Sequence, residues 1–150
     1  MTTQTRGYHA PTMSAALRRL AALSGPDRVL LARAAAWVVA ARLALWTLPY
    51  RRTRDLADRL GRAHRRGPAP ERTAWAVEAT ARRIPKASCL TQALAADVML
   101  RRDGHRPQIH IGVSKDRAAF EAHAWLELDG RVLVGDHDLG RYTRLQPPPS

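Results

Sequence analysis

The chain has 150 residues, enough for one domain with a real core and too few for two. Its 25 Lys and Arg against 13 Asp and Glu give a net charge of +12, and it holds a single cysteine, so no internal disulfide framework is available. One thiol fits a reducing, cytoplasmic setting. Met1 to Ala10 is polar, without the apolar stretch of a secretory signal.

Residues 1–12 lack periodicity and read as a flexible tail. One domain is expected over 13–146, with a helical part at 13–84 and a core at 85–146, before a Pro-rich tail at 147–150. A short helix over Ser14–Leu23 stops at Ser24-Gly25, and Pro26 suits the first turn of a longer helix to about Leu48. Leu30, Ala34, Trp37, Ala41, Leu45 and Leu48 recur at steps of three and four, which marks a core stripe. Trp37 and Trp46 fall on different sides of it, which implies broad burial. Arg33 and Arg42 interrupt the apolar run, and central arginines are costly in a membrane span. The segment therefore reads as a buried helix rather than a span, with interfacial contact the lesser alternative.

Pro49 ends that helix. A further helix over Thr53–Ala63 places Leu56, Leu60 and Ala63 on one side, and Gly67-Pro68-Ala69-Pro70 breaks the chain. Ala74, Val77, Ala81 and Ile84 define a helix over Glu71–Arg83. After Pro85, Ser88 is a natural N-cap for a helix from Cys89 to Arg102, stopped by Asp103-Gly104. Strands follow at Gln108–Val113, Phe120–Leu128 and Arg131–Asp136, with a short one at Tyr142–Leu145. Helices first and sheet last is a segregated α+β arrangement.

Cys89 opens its helix, where unpaired N–H groups and the helix dipole favour a thiolate. Asp129-Gly130 between alternating runs predicts a two-residue type I′ hairpin. Its register would pair Leu128 with Arg131, Glu127 with Val132, Trp125 with Val134 and His123 with Asp136. Facing side chains in an antiparallel ladder lie about 5 Å apart at Cβ, so the imidazole could bond the carboxylate. Asp138 is the diagonal fallback if a bulge intervenes. Thiol, imidazole and carboxylate are the groups of a nucleophilic triad. Trp125, on the face of His123, could wall a substrate cleft; Glu127 shares that face.

The six histidines, His105, His110 and His137 among them, show no zinc-ligand spacing, and no metal or cofactor is expected. The arginines spread over several helices without a nucleic-acid motif, so the surplus reads as a solvated face or a docking surface for an acidic peptide. A basic binding protein without catalysis is the competing reading.

Cys89-Leu90, Arg101-Arg102-Asp103-Gly104, Ile111-Gly112-Val113, Phe120-Glu121-Ala122-His123-Ala124-Trp125 and Leu128-Asp129-Gly130 together resemble the transglutaminase-like cysteine peptidases of lasso-peptide biosynthesis. The likeness is close over about residues 86–138 and general over the N-terminal helices. It implies a papain-related α+β core with a nucleophile helix and a small antiparallel sheet. Cys89 would be the nucleophile, His123 the general base and then acid, and Asp136 the orienting carboxylate. The reaction would remove the leader from a ribosomally made precursor peptide, with backbone N–H groups, that of Cys89 included, holding the oxyanion. The resemblance also implies a separate leader-binding protein as partner, because this chain shows no strand-rich module before its helices. A macrocyclising enzyme would act next. A transglutaminase or acyltransferase would use the same triad with an amine as acceptor.

Overall fold

The computed structural model describes residues 18, 21–62, 66–114 and 120–145. Helix α1 spans Gly25–Thr47, α2 Tyr50–Leu60, α3 Pro70–Ala81 and α4 Cys89–Arg102. Strands β1 (Gln108–Ser114), β2 (Ala122–Leu128), β3 (Arg131–Val134) and β4 (Tyr142–Arg144) follow, with a 3-10 turn at Leu139–Arg141 before β4. The architecture is α+β, helices first, as the sequence predicts. The helix expected over Ser14–Leu23 lies largely outside the described residues, as do both terminal tails; Arg18 and Ala21 are helical.

Punctuation sets the helix ends. Ser24 caps α1, its Oγ accepting the Asp27 N–H at 3.3 Å, with proline in the first turn. Proline also opens α3, where its missing N–H costs nothing. Ser88 caps α4 through the N–H of Thr91 at 3.2 Å.

The four strands form one antiparallel sheet in the order β3-β2-β1-β4. One face packs on the helices. Ala124, Leu126 and Val134 join Leu30, Ala34 and Val38 of α1, Val77 of α3, and Met99 and Leu100 of α4 in a single buried cluster. Each large aliphatic side chain there contributes about 1.5–3 kcal/mol by leaving water.

Two packing expectations change. Helix α1 buries only the stripe of Leu30, Ala34 and Val38, and Trp46 is 76% exposed, so the inferred broad burial is not found. By length and composition the helix could cross a membrane, yet only 17% of its most apolar window is buried inside the protein. Helix α2 docks through Thr53 and Ala57 rather than through Leu56 and Leu60, which are exposed; Ala63 lies outside the described residues. Charge explains this docking. Arg54 reaches the fully buried Asp97 carboxylate at 3.3 Å and Asp58 at 3.5 Å, while Arg101 meets Asp97 at 2.9 Å. Leu56 and Leu60 stay partly exposed, lining an apolar cleft with Trp37, Ala41 and Leu94.

Candidate active site

Cys89 is the first residue of α4, directly after the Ser88 cap. Ser88 Oγ also lies 3.0 Å from Thr91 Oγ1, so both hydroxyls are spent on the cap. The N–H groups of Cys89 and Leu90, in the first turn, have no partner within the helix. They point a partial positive charge at whatever sits against the helix start.

The thiol sits at an edge of β2. Cys89 Sγ accepts a hydrogen bond from the N–H of Ala124 at 3.4 Å, and Ala124 follows His123 in the chain. This contact exists because β3 is short. In a strand the N–H and C=O of one residue point to the same side, and the Ala124 carbonyl faces the chain at Gly135. Strand β3 stops at Val134, so the Ala124 N–H beyond it has no strand partner and is left to the sulfur.

The hairpin turns where the sequence predicts it. Asp129 and Gly130 both have positive φ, 51° and 78°, and Leu128 pairs with Arg131 and Glu127 with Val132. The register then slips. Leu126, not Trp125, faces Val134, because Leu133 is an extra residue bulged out of the ladder. The expected facing of His123 and Asp136 therefore does not form. The His123 ring nitrogen Nε2 lies 2.8 Å from the carbonyl oxygen of Gly135, and Asp136 and Asp138 are exposed. Among the described residues no hydrogen bond or ion pair joins His123 to either carboxylate.

A carbonyl oxygen only accepts, so in the neutral ring Nε2 carries the proton and Nδ1 holds the lone pair. Gly135 is required at that carbonyl. Its φ is +82°, and a Cβ would lie 2.8 Å from Ala124 O and 3.1 Å from Trp125 Cα.

His123 is held between rings. Tyr142 of β4 stacks on one side with centroids 5.1 Å apart, and Trp125 lies at 6.2 Å. Both rings close over Gly112, where a Cβ would stand 2.9 Å from Tyr142 Cβ and 3.0 Å from Trp125 Cζ3. Trp125 is 2% exposed, so it supports the histidine and offers a substrate almost no surface. Its indole N–H donates to Glu127 at 3.1 Å; Glu127 also pairs with Arg144 and stands 3.2 Å from His110 Nε2. Glu127 thus anchors the tryptophan within a half-buried polar cluster whose outer member, Arg144, is exposed. No group of three His, Cys, Asp or Glu side chains suited to a metal ion occurs among the described residues.

The model of the transglutaminase-like superfamily matches residues 35–146, a span that includes the thiol and the histidine. The chain belongs to the transglutaminase-like superfamily. Members of this superfamily are typically cysteine-based hydrolases or acyl transferases. No curated protein and no solved structure shows a significant match to the chain.

Three parts of the candidate site carry no side-chain signature in the sequence: the Ala124 N–H, the Gly135 carbonyl and the open position at Gly112. Glycine within a strand pattern and glycine directly after a strand were the available signals. Tyr142, on the short last strand, had none.

Proposed function

We propose that this protein is a cysteine endopeptidase that removes the leader from a ribosomally made precursor of the lasso-peptide type. The observation that carries this reading is the hydrogen bond from the Ala124 N–H to Cys89 Sγ, which ties the helix-start thiol to the strand bearing His123. In the proposed reaction His123 Nδ1 takes the thiol proton, and the thiolate attacks the scissile carbonyl carbon. The oxyanion is met by the first-turn N–H groups of α4, Cys89 and Leu90. His123 returns its proton to the departing amine as the C–N bond breaks. Water then gives a proton to Nδ1 and its oxygen to the thioester, which releases the leader as a carboxylic acid and restores the thiol.

The Gly135 carbonyl takes the ring-orienting place first expected of a carboxylate. Asp136, next in the chain, is exposed and makes no hydrogen bond or ion pair to the ring among the described residues. The proposed partners are a separate leader-binding protein, which supplies substrate affinity, and a cyclase that acts on the freed core. A cytoplasmic setting follows from that substrate.

The test is to incubate the protein, a precursor peptide and the leader-binding partner, and to read the products by intact mass. Cleavage at the leader–core junction that is lost in Cys89→Ala supports the proposal. Full cleavage by Cys89→Ala would end the nucleophile assignment. An adduct with an added primary amine, in place of the acid, would move the protein to the acyl transferases.

A further inference from the structure

Helix α1 passes its inner stripe to the core and leaves its outer face uncovered. Val29 is 62% exposed, Val39 44%, Leu43 52% and Trp46 76%. Ala32, Ala36 and Ala40 are exposed between them, at the three- and four-residue steps of one helix face. Every exposed residue from Val29 to Trp46 is apolar. The stripe is about 26 Å long at 1.5 Å per residue.

The charge around it has one sign. Between Asp27 and Asp55 there are six arginines and no acidic residue. Arg33 is taken up by Asp103 at 3.3 Å and Arg54 by Asp97. Arg28, Arg42, Arg51 and Arg52 have no acidic partner among the described residues. Arg28 stands at one end of the stripe. Arg51 and Arg52 stand at the other, just beyond Trp46 and the half-exposed Tyr50.

We propose that this face of α1 docks on the surface of an anionic lipid bilayer, with the helix lying in the interface plane. Two features favour lipid over a protein partner. A specific protein interface needs about one hydrogen bond per 100–200 Å² of contact, and among the exposed residues of this face only Trp46, at its end, carries a hydrogen-bonding group. Acyl chains require none. The second feature is the flanking arrangement, in which an aromatic ring at interface depth and arginines without an acidic partner among the described residues at both ends match the anchors of in-plane helices. A second copy of this chain would bring another net +12 to the contact, which opposes self-association. The proposal is independent of the peptidase reading, since none of these residues belongs to the candidate active site.

The experiment is co-sedimentation with vesicles of phosphatidylcholine alone and of phosphatidylglycerol and phosphatidylcholine in equal parts. A protein this basic is drawn to anionic vesicles by charge alone, so the deciding variant keeps every charge. In Leu43→Asn with Trp46→Asn, partition onto the anionic vesicles should fall at least about tenfold, with far-UV dichroism and the alkylation rate of Cys89 unchanged. Arg51→Gln with Arg52→Gln should weaken binding to the anionic vesicles and leave any binding to phosphatidylcholine unaltered. Unchanged partition of the Asn variant would overturn the proposal. So would a concentration-dependent dimer in sedimentation velocity that the same variant dissolves, since the face would then belong to a second copy.

Discussion

Gly135→Ala tests the site through one methyl group. At φ +82° an L side chain costs about 1–2 kcal/mol. The new Cβ would also stand 2.8 Å from Ala124 O and 3.1 Å from Trp125 Cα, both backbone atoms of an interior strand that cannot swing aside. Forcing them apart adds about 1–3 kcal/mol, as overpacking does elsewhere. Gly130→Ala isolates the first term, because its φ is +78° and nothing lies within 4 Å of the Cβ position. In urea melts Gly130→Ala should lose about 1–2 kcal/mol, and Gly135→Ala about twice as much. For a chain of this size these losses lower Tm by about 4 °C and 8 °C. The functional consequence separates them further. Gly135→Ala displaces the carbonyl that orients His123 and the strand whose N–H holds Cys89 Sγ, so alkylation of the sole cysteine by iodoacetamide at pH 7 should slow about tenfold. Leader cleavage should fall about 10²-fold, the scale of a 1 Å misplacement. Gly130→Ala should change neither rate. Equal stability and equal alkylation in the two variants would refute the role given to the Gly135 backbone.

Because His123 bonds the Gly135 carbonyl, Asp136→Asn should cost leader cleavage only about two- to tenfold, far below the about 10⁴-fold that follows loss of a directly bonded triad carboxylate; a loss of the larger size would place that carboxylate on the ring. Tyr142→Ala removes one of the rings packed on His123 and should cut the alkylation rate of Cys89 about fivefold, while Tyr142→Phe keeps it. Burial pushes the Asp97 carboxyl above its ordinary 3.8, with Arg54 and Arg101 pulling it down. The folded protein therefore binds this proton more tightly than the unfolded chain does. Its stabilising effect is complete below 3.8 and is lost as pH rises through the higher folded value. Asp97→Asn should remove that downward slope from a plot of Tm against pH, and an unaltered slope would assign it to another group.

The helices were legible because proline, glycine and serine mark their ends. Ser88 fixed the start of α4 to the residue, and Asp103-Gly104 its stop. The hairpin turn was legible too, since Asp-Gly meets the demand for two positive φ angles. The register beyond it was not. A period-two pattern records which faces are apolar, and one bulged residue such as Leu133 leaves that alternation readable while shifting every later pair. Composition likewise made α1 apolar without saying how much of its circumference the core could cover. The buried Asp97 network, which decides the face on which α2 docks, joins residues 43 positions apart and leaves no local periodicity. Cys89 and His123 were identifiable as chemical types, whereas the backbone groups that hold them are common to every residue.

The early end of β3 has a consequence for handling this protein. An unpaired N–H on a strand edge invites pairing with another chain, and edges of this kind seed aggregation. Here the Cys89 sulfur occupies the Ala124 N–H, so the proposed nucleophile also shields that edge position. Cys89→Ala strips the shield and leaves the donor without an acceptor, at about 1–3 kcal/mol for a buried group. Cys89→Ser keeps an acceptor near the same place. The serine form is therefore the variant to prefer for testing substrate trapping under the proposed mechanism, and the alanine form the one expected to clump first on concentration.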